Sequence, residues 1–129
     1  MSERRNLEKL LESVEHHNRG DTEGHERYLE PYSEDVTVHG AEAEGLDELH
    51  AFYDFVWCTV PDLEITVEAA IADGEEVALR YSWKGTHAVT GDEVSLETGL
   101  TWYRFEDGKV VERWVAEGTA EAITETLEA

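Results

Sequence analysis

At 129 residues, with 31 acidic against 10 basic side chains and a formal net charge of -21, the chain has the length of one domain and the charge of a polyanion. Its outer surface therefore excludes nucleic acid and anionic membrane as partners. A hydrophobic share of 40% with four tryptophans excludes a disordered acidic tail.

A single domain over residues 1–129 is expected, removing roughly two-thirds of the unfolded surface from water, enough to enclose a pocket. The acids are spread along the chain, and only Lys9, Lys84 and Lys109 represent lysine. This composition reads as a surface adapted to molar salt, where the screening length shrinks to roughly 3 Å at 1 M; the alternative is an acidic protein indifferent to salt. Cys58 is the sole cysteine, so an intramolecular disulfide and a cysteine metal knuckle are both excluded, and it is expected in the core. Met1–Arg5 lacks an apolar leader, and no run approaches the roughly 18 apolar residues of a membrane span, which points to a cytoplasmic location.

Leu7, Leu10, Leu11 and Val14 fall at helical spacing after Ser2, and the helix stops near Gly20. Asp21 or Thr22 caps a short second helix carrying Tyr28 and Leu29 and ended by Pro31. Val36 and Val38 alternate with Thr37 and His39 in a strand closed by Gly40. A third helix follows, marked by Leu46, Leu49, Phe52, Tyr53, Val56, Trp57 and Val60 and ended by Pro61-Asp62.

Alternation with period two dominates the rest. Ile65, Val67 and Ala69 share a face before the turn Asp73-Gly74, then Val77, Leu79, Tyr81 and Trp83, then Val94, Leu96, Leu100 and Trp102, and last the strand Val110–Val115. Asp107-Gly108 predicts a tight hairpin and Thr90-Gly91-Asp92 a second turn. Thr119–Ala129 has helical composition. Helices first and long strands after imply an α+β architecture, a cone-shaped curved antiparallel sheet packed by three N-terminal helices, its open end admitting a ligand.

His39 and His87 each close a strand, and an imidazole exchanges protons near neutral pH. Glu117, near the end of the last strand, is a candidate general base if it faces inward; the alternative is one more solvated acid. No two of the six histidines have metal-ligand spacing, so no metal site is expected. Tyr53, Trp57, Trp83, Tyr103 and Trp114 belong to an aromatic set large enough to line a cavity, and Arg80 is a candidate for holding a substrate anion or pairing with an acid.

Taken in order, Asn18-Arg19-Gly20-Asp21, Val36–Gly40, Gly45-Leu46, Pro61-Asp62-Leu63, Val77–Tyr81, Gly85-Thr86-His87 and Phe105–Trp114 resemble the SnoaL-like polyketide cyclase family, within the fold shared with ketosteroid isomerase and nuclear transport factor 2. The resemblance implies a cofactor-free homodimer with a deep, mostly apolar pocket for a small hydrophobic or aromatic ligand. In the cyclases an acid on the last strand exchanges protons during an aldol ring closure. Gly118 holds that position here, and Glu117 lies one residue before it.

Two readings stay open. One is a cyclase or isomerase acting on a small carbonyl compound through His39, His87 or Glu117, with Tyr53 or Tyr103 as donor to the enolate. The other is a non-catalytic small-molecule binding module of the same fold. An epoxide hydrolase ranks last, because no aspartate lies in the strands around Arg80.

Overall fold

A computed structural model describes residues 2–40 and 43–128; Met1 and Ala129, which the expected N-terminal segment and tail include, lie outside them. The elements run α1 (Ser2–Asn18), α2 (Thr22–Leu29), β1 (Tyr32–His39), β2 (Ala43–Glu44), α3 (Leu46–Thr59), β3 (Glu64–Asp73), β4 (Glu76–Thr86), β5 (Glu93–Glu106), β6 (Lys109–Val115) and α4 (Glu117–Glu128). None of these helices is long and apolar enough to cross a membrane.

Asp21 is the cap of α2, its carboxylate accepting the Gly24 amide at 2.6 Å and so satisfying one orphan donor of the first turn. In α3 the inward row is Leu49, Tyr53 and Val56, spaced at three and four residues. Cys58 falls two positions past Val56, on the other side of the helix, and is exposed instead of entering the core.

The six strands form one unclosed sheet in the order β2-β1-β6-β5-β4-β3. It is mixed, not wholly antiparallel as expected: β1 and β6 run parallel, with Val38 beside Arg113 and His39 beside Trp114. Hairpins force antiparallel pairing only between consecutive strands, whereas β1 and β6 meet after a long excursion through α3 and four strands.

The phase of the alternation changes along the sheet. Tyr81 faces Gly99 but Trp83 faces Leu96, so β5 carries one residue more than β4 across that interval. A bulge of this kind reverses which side chains face the core. Val94 and Leu96 pack on the core side, and past the bulge it is Thr101, Tyr103 and Phe105 that are buried. Leu100 and Trp102, expected in the row of Val94 and Leu96, are turned out, each 48% exposed. Gly99 marks the spot, since a Cβ there would sit 2.5 Å from the Tyr81 ring. On β6 a second irregularity, with Phe105 facing Val110 and Arg104 facing Glu112, leaves Val111 as the extra residue and buries both Val110 and Arg113. The β5–β6 hairpin turns at Asp107 and Gly108, both at positive φ (52° and 77°), as the dipeptide predicts.

After β6 the chain folds back as α4. The Leu100 amide donates to the Thr119 hydroxyl at 3.0 Å, and Ile123 and Leu127 pack against the core. Thr119 is the one fully buried residue of this helix.

Candidate functional site

A cavity of about 70 Å³ lies between the inner face of the sheet and the helices. Tyr81, Trp83, Arg113 and Val115 come from the sheet. Tyr28 of α2 and Leu49, Phe52, Tyr53 and Val56 of α3 form the opposite wall, while Ile123, Thr126 and Leu127 of α4 close the open end. Apart from Thr126, the walls are apolar and aromatic except at one charged point.

That point is Arg113, 6% exposed. Its Nη1 donates to the hydroxyl of Tyr53 at 2.7 Å and of Tyr32 at 3.2 Å. Its guanidinium carbon lies 5.5 Å from the centre of the Tyr103 ring, within reach of a cation–π attraction. The hydroxyls of Tyr28 and Tyr53 are 3.1 Å apart, and that of Tyr81 is 2.9 Å from Thr101 Oγ1. Burial, the largest influence on each, pushes the Tyr28, Tyr32, Tyr81 and Tyr103 phenols above the usual tyrosine range, so these four are neutral at physiological pH. Arg113 Nε is buried with no hydrogen-bond partner.

The residues singled out from the sequence are not gathered in this cavity. Tyr53 and Trp83 line it, and Tyr103 is buried beside Arg113. Trp57 belongs to the packing of α1, α2 and α3: its ring stacks on His25 at 3.9 Å with 4° between planes, and its Nε1 donates to His17 Nε2 at 3.1 Å. Arg80 is exposed and, with Trp114, borders a groove on the outer face of the sheet.

His39 shares strand phase with Trp114, across β1 and β6, and stacks on it with ring centres 5.4 Å apart. Its Nε2 lies 2.7 Å from Glu112 Oε2, and the other oxygen of Glu112 accepts from Arg104 at 3.1 and 3.2 Å. The hydrogen bond from His39, then those from Arg104, hold the Glu112 carboxyl below the usual range. This trio lies outside the cavity lining. His87 is buried at the β4–β5 connection, its Nδ1 accepting the amides of Val89 at 3.2 Å and Thr90 at 3.3 Å. The proton is therefore on Nε2, which is buried without a partner, and the side chain organises its own loop. Glu117, expected on the last strand, is instead the exposed first residue of α4: β6 ends at Val115, so strand alternation no longer governs where Glu117 points.

Arg113, Tyr28 and Tyr32 were not among the residues singled out from the sequence. Arg113 shares strand phase with Val115, a signal visible in the sequence but ambiguous for a cation until the bulge at Val111 is known. Among the described residues no cluster of three or more histidine, cysteine or acidic side chains is arranged to hold a metal ion.

A family model described as a SnoaL-like domain matches residues 10–113. Among solved structures, the chain is similar to AclR, a proposed hydroxylase from Streptomyces galilaeus, at 28% identity over 88% of this chain and 79% of that one, with a TM-score of 0.75. An NTF2-like protein of unknown function from Burkholderia pseudomallei aligns at 25% identity over 97% and 98% of the two chains, with a TM-score of 0.76. A SnoaL-like polyketide cyclase from Agrobacterium tumefaciens shares the fold at 19% identity over 86% and 89%, with a TM-score of 0.71. No curated protein matches the chain.

Proposed function

Since the chain belongs to the SnoaL-like family, we propose that it is a binding protein for a small, flat, mostly apolar molecule held in the cavity beneath α4. The observation that carries this reading is the make-up of the cavity lining, which is aromatic and aliphatic and contains no carboxylate or imidazole among the described residues. With α4 in place, about 70 Å³ is under half of the ~150 Å³ cavity that takes benzene, so a ring system needs α4 to shift. That helix has one fully buried residue, a side-chain hydrogen bond to β5 and only the half-buried Ala120, Ile123 and Leu127 against the core, a lighter attachment than the sheet strands have, which favours local opening. Neutral benzyl alcohol, added during thermal unfolding, is expected to raise the melting temperature equally at about pH 5 and pH 8, because no imidazole lines the site. No shift at saturating probe would remove the reading.

The family supports a second reading, a cofactor-independent cyclase or isomerase, and the Tyr53 hydroxyl on the cavity wall is its specific support, as a donor to an enolate oxygen. In this reading His39, His87 and Glu117 are the proton carriers, although none of them lines the cavity. Turnover of carbonyl compounds that survives replacement of all three would eliminate those assignments.

We also propose a homodimer through the outer face of the sheet. In a chain of net charge -21, two copies repel each other over most of their surface. The groove bordered by Ala69, Ile71, Ala78, Leu100, Trp102 and Trp114 has Arg80 and no acid in its lining, and Ile71, Leu100 and Trp102 are exposed there. Light scattering in molar KCl is expected to give about twice the 14.6 kDa chain mass, falling to one chain mass in Trp102→Glu. A single-chain mass for the unaltered protein would refute it.

A further inference from the structure

We propose that the ligand of this cavity is an anion, an apolar ring bearing a carboxylate or an equally delocalised enolate, and that Arg113 is the residue that selects it. The inference deepens the binding reading above and rests on it.

A guanidinium stays ionised in any protein environment, and an ion taken out of water without a counter-ion costs several kcal/mol even after relaxation. Arg113 is in that position. Its Nη1 contacts are phenol oxygens, its flat face meets the Tyr103 ring, and its Nε is buried and unpartnered. Among the described residues, no carboxylate lies within 4.0 Å of it, although the described ion pairs engage five other cationic side chains: Arg4, Arg19, Arg27, Lys84 and Arg104. In a sequence with 31 acids, the charge compensation that surface cations receive is withheld from the most buried one.

The surroundings say what kind of anion fits. Arg113 is the lone ionic group on an aromatic and aliphatic cavity, so the complement is amphiphilic, with an apolar body against Phe52 and Trp83 and a charged edge at Arg113. A guanidinium presents its N–H groups as a planar fork suited to two oxygens of one delocalised group. Tyr53, already hydrogen-bonded to Nη1 and on the cavity wall, supplies a hydroxyl that can turn to donate to the same group. Neighbouring phenols that remain neutral leave the positive charge unspent until a ligand arrives.

The test compares benzoate with benzamide, the same shape without the charge, by calorimetric or ligand-observed titration of the full chain in molar KCl at pH 7. Benzoate is expected to bind about tenfold or more tightly than benzamide, the range of a hydrogen bond to a charged group, and Arg113→Met to erase or invert that preference. Because Met removes an uncompensated buried charge, the ligand-free variant is expected to melt at or above the temperature of the unaltered protein. Equal affinities in the unaltered protein, or a benzoate preference that survives Arg113→Met, overturn the proposal while leaving the apolar pocket standing. Binding of neither probe overturns both. A tyrosinate absorption band at pH 7 that Arg113→Met abolishes also overturns it, by showing the counter-ion to be built in. Should Arg113→Met not fold, the benzoate to benzamide ratio in the unaltered protein and in Arg113→Lys, where the charge remains without the fork, decides.

Discussion

Acidification from pH 7 to below pH 4, in molar KCl, is expected to remove about 3 kcal/mol of folding stability through His17 alone. His17, on the last turn of α1, is 1% exposed. Desolvation lowers its pKa from 6.5 to about 4, the Asn18 hydrogen bond opposing the shift and nearby His25 adding to it. Trp57 donates to Nε2, so the imidazole is neutral with its proton on Nδ1, facing Asn18 Oδ1 at 3.3 Å. Asn18 in turn clamps the end of α1 to β3, donating to the Ile65 carbonyl at 2.7 Å and accepting its amide at 2.8 Å. Protonation of His17 therefore breaks a contact on which three elements converge.

The unfolded chain takes up this proton near pH 6.5 and the folded one only near pH 4. The contribution is thus complete above pH 6.5, declines as pH falls at up to about 1.4 kcal/mol per unit, and is gone below pH 4. His25, lowered chiefly by burial against the same tryptophan, acts in the same direction. Urea unfolding of the protein and of His17→Gln at pH 7, 5 and 4 checks this, with Trp57 contributing to the fluorescence readout. The variant should lose the steep part of the pH dependence, and identical slopes would show that His17 is not its source. Molar salt keeps the many surface carboxylates from masking the effect as they neutralise.

The second large expected effect is salt itself. The melting temperature should climb steeply as KCl rises from roughly 0.1 M to 2 M, with partial unfolding below roughly 0.5 M. Of the 31 acids, those within 4.0 Å of a cationic side chain among the described residues are Glu8, Asp21, Glu23, Glu30, Glu64, Glu106 and Glu112. Most of these pairs are solvated and worth less than about 1 kcal/mol each. Repulsion among the remaining carboxylates is then limited by the ions in solution, whose screening length falls from ~10 Å at 0.1 M to ~3 Å at 1 M. A melting series flat in KCl would end the view of this surface as adapted to salt.

How far the site was legible depends on which kind of signal each residue carries. Tyr53 and Trp83 sit in long, regular apolar rows, and such rows lead to the cavity. Trp57 is in the same helix as Tyr53, but its indole completes a stack with His25 and a hydrogen bond to His17, partners from α1 and α2 that no local pattern announces. His39 reads as a pocket residue because it ends a strand, and Trp114 because it belongs to an aromatic set, yet the parallel β1–β6 register puts both on the outer face. Glu117 was placed by extending strand alternation past Val115, where the chain had already turned into α4.

From the sequence alone came the order of three helices and then long strands, the turns at Asp107-Gly108 and Pro61-Asp62, the acidic composition and the SnoaL-like family, because propensity, turn chemistry and periodicity are local properties of the chain. Tertiary structure alone decided which side chains meet. Bulges in β5 and β6 reset the phase of a period-two pattern, the β1–β6 pairing joined residues far apart in the chain, and α4 returned to close the cone. A one-residue change of phase moves every later side chain to the opposite face, and that is why Arg113 is sealed among tyrosines while Glu112 and Trp114, its neighbours on either side, look outward.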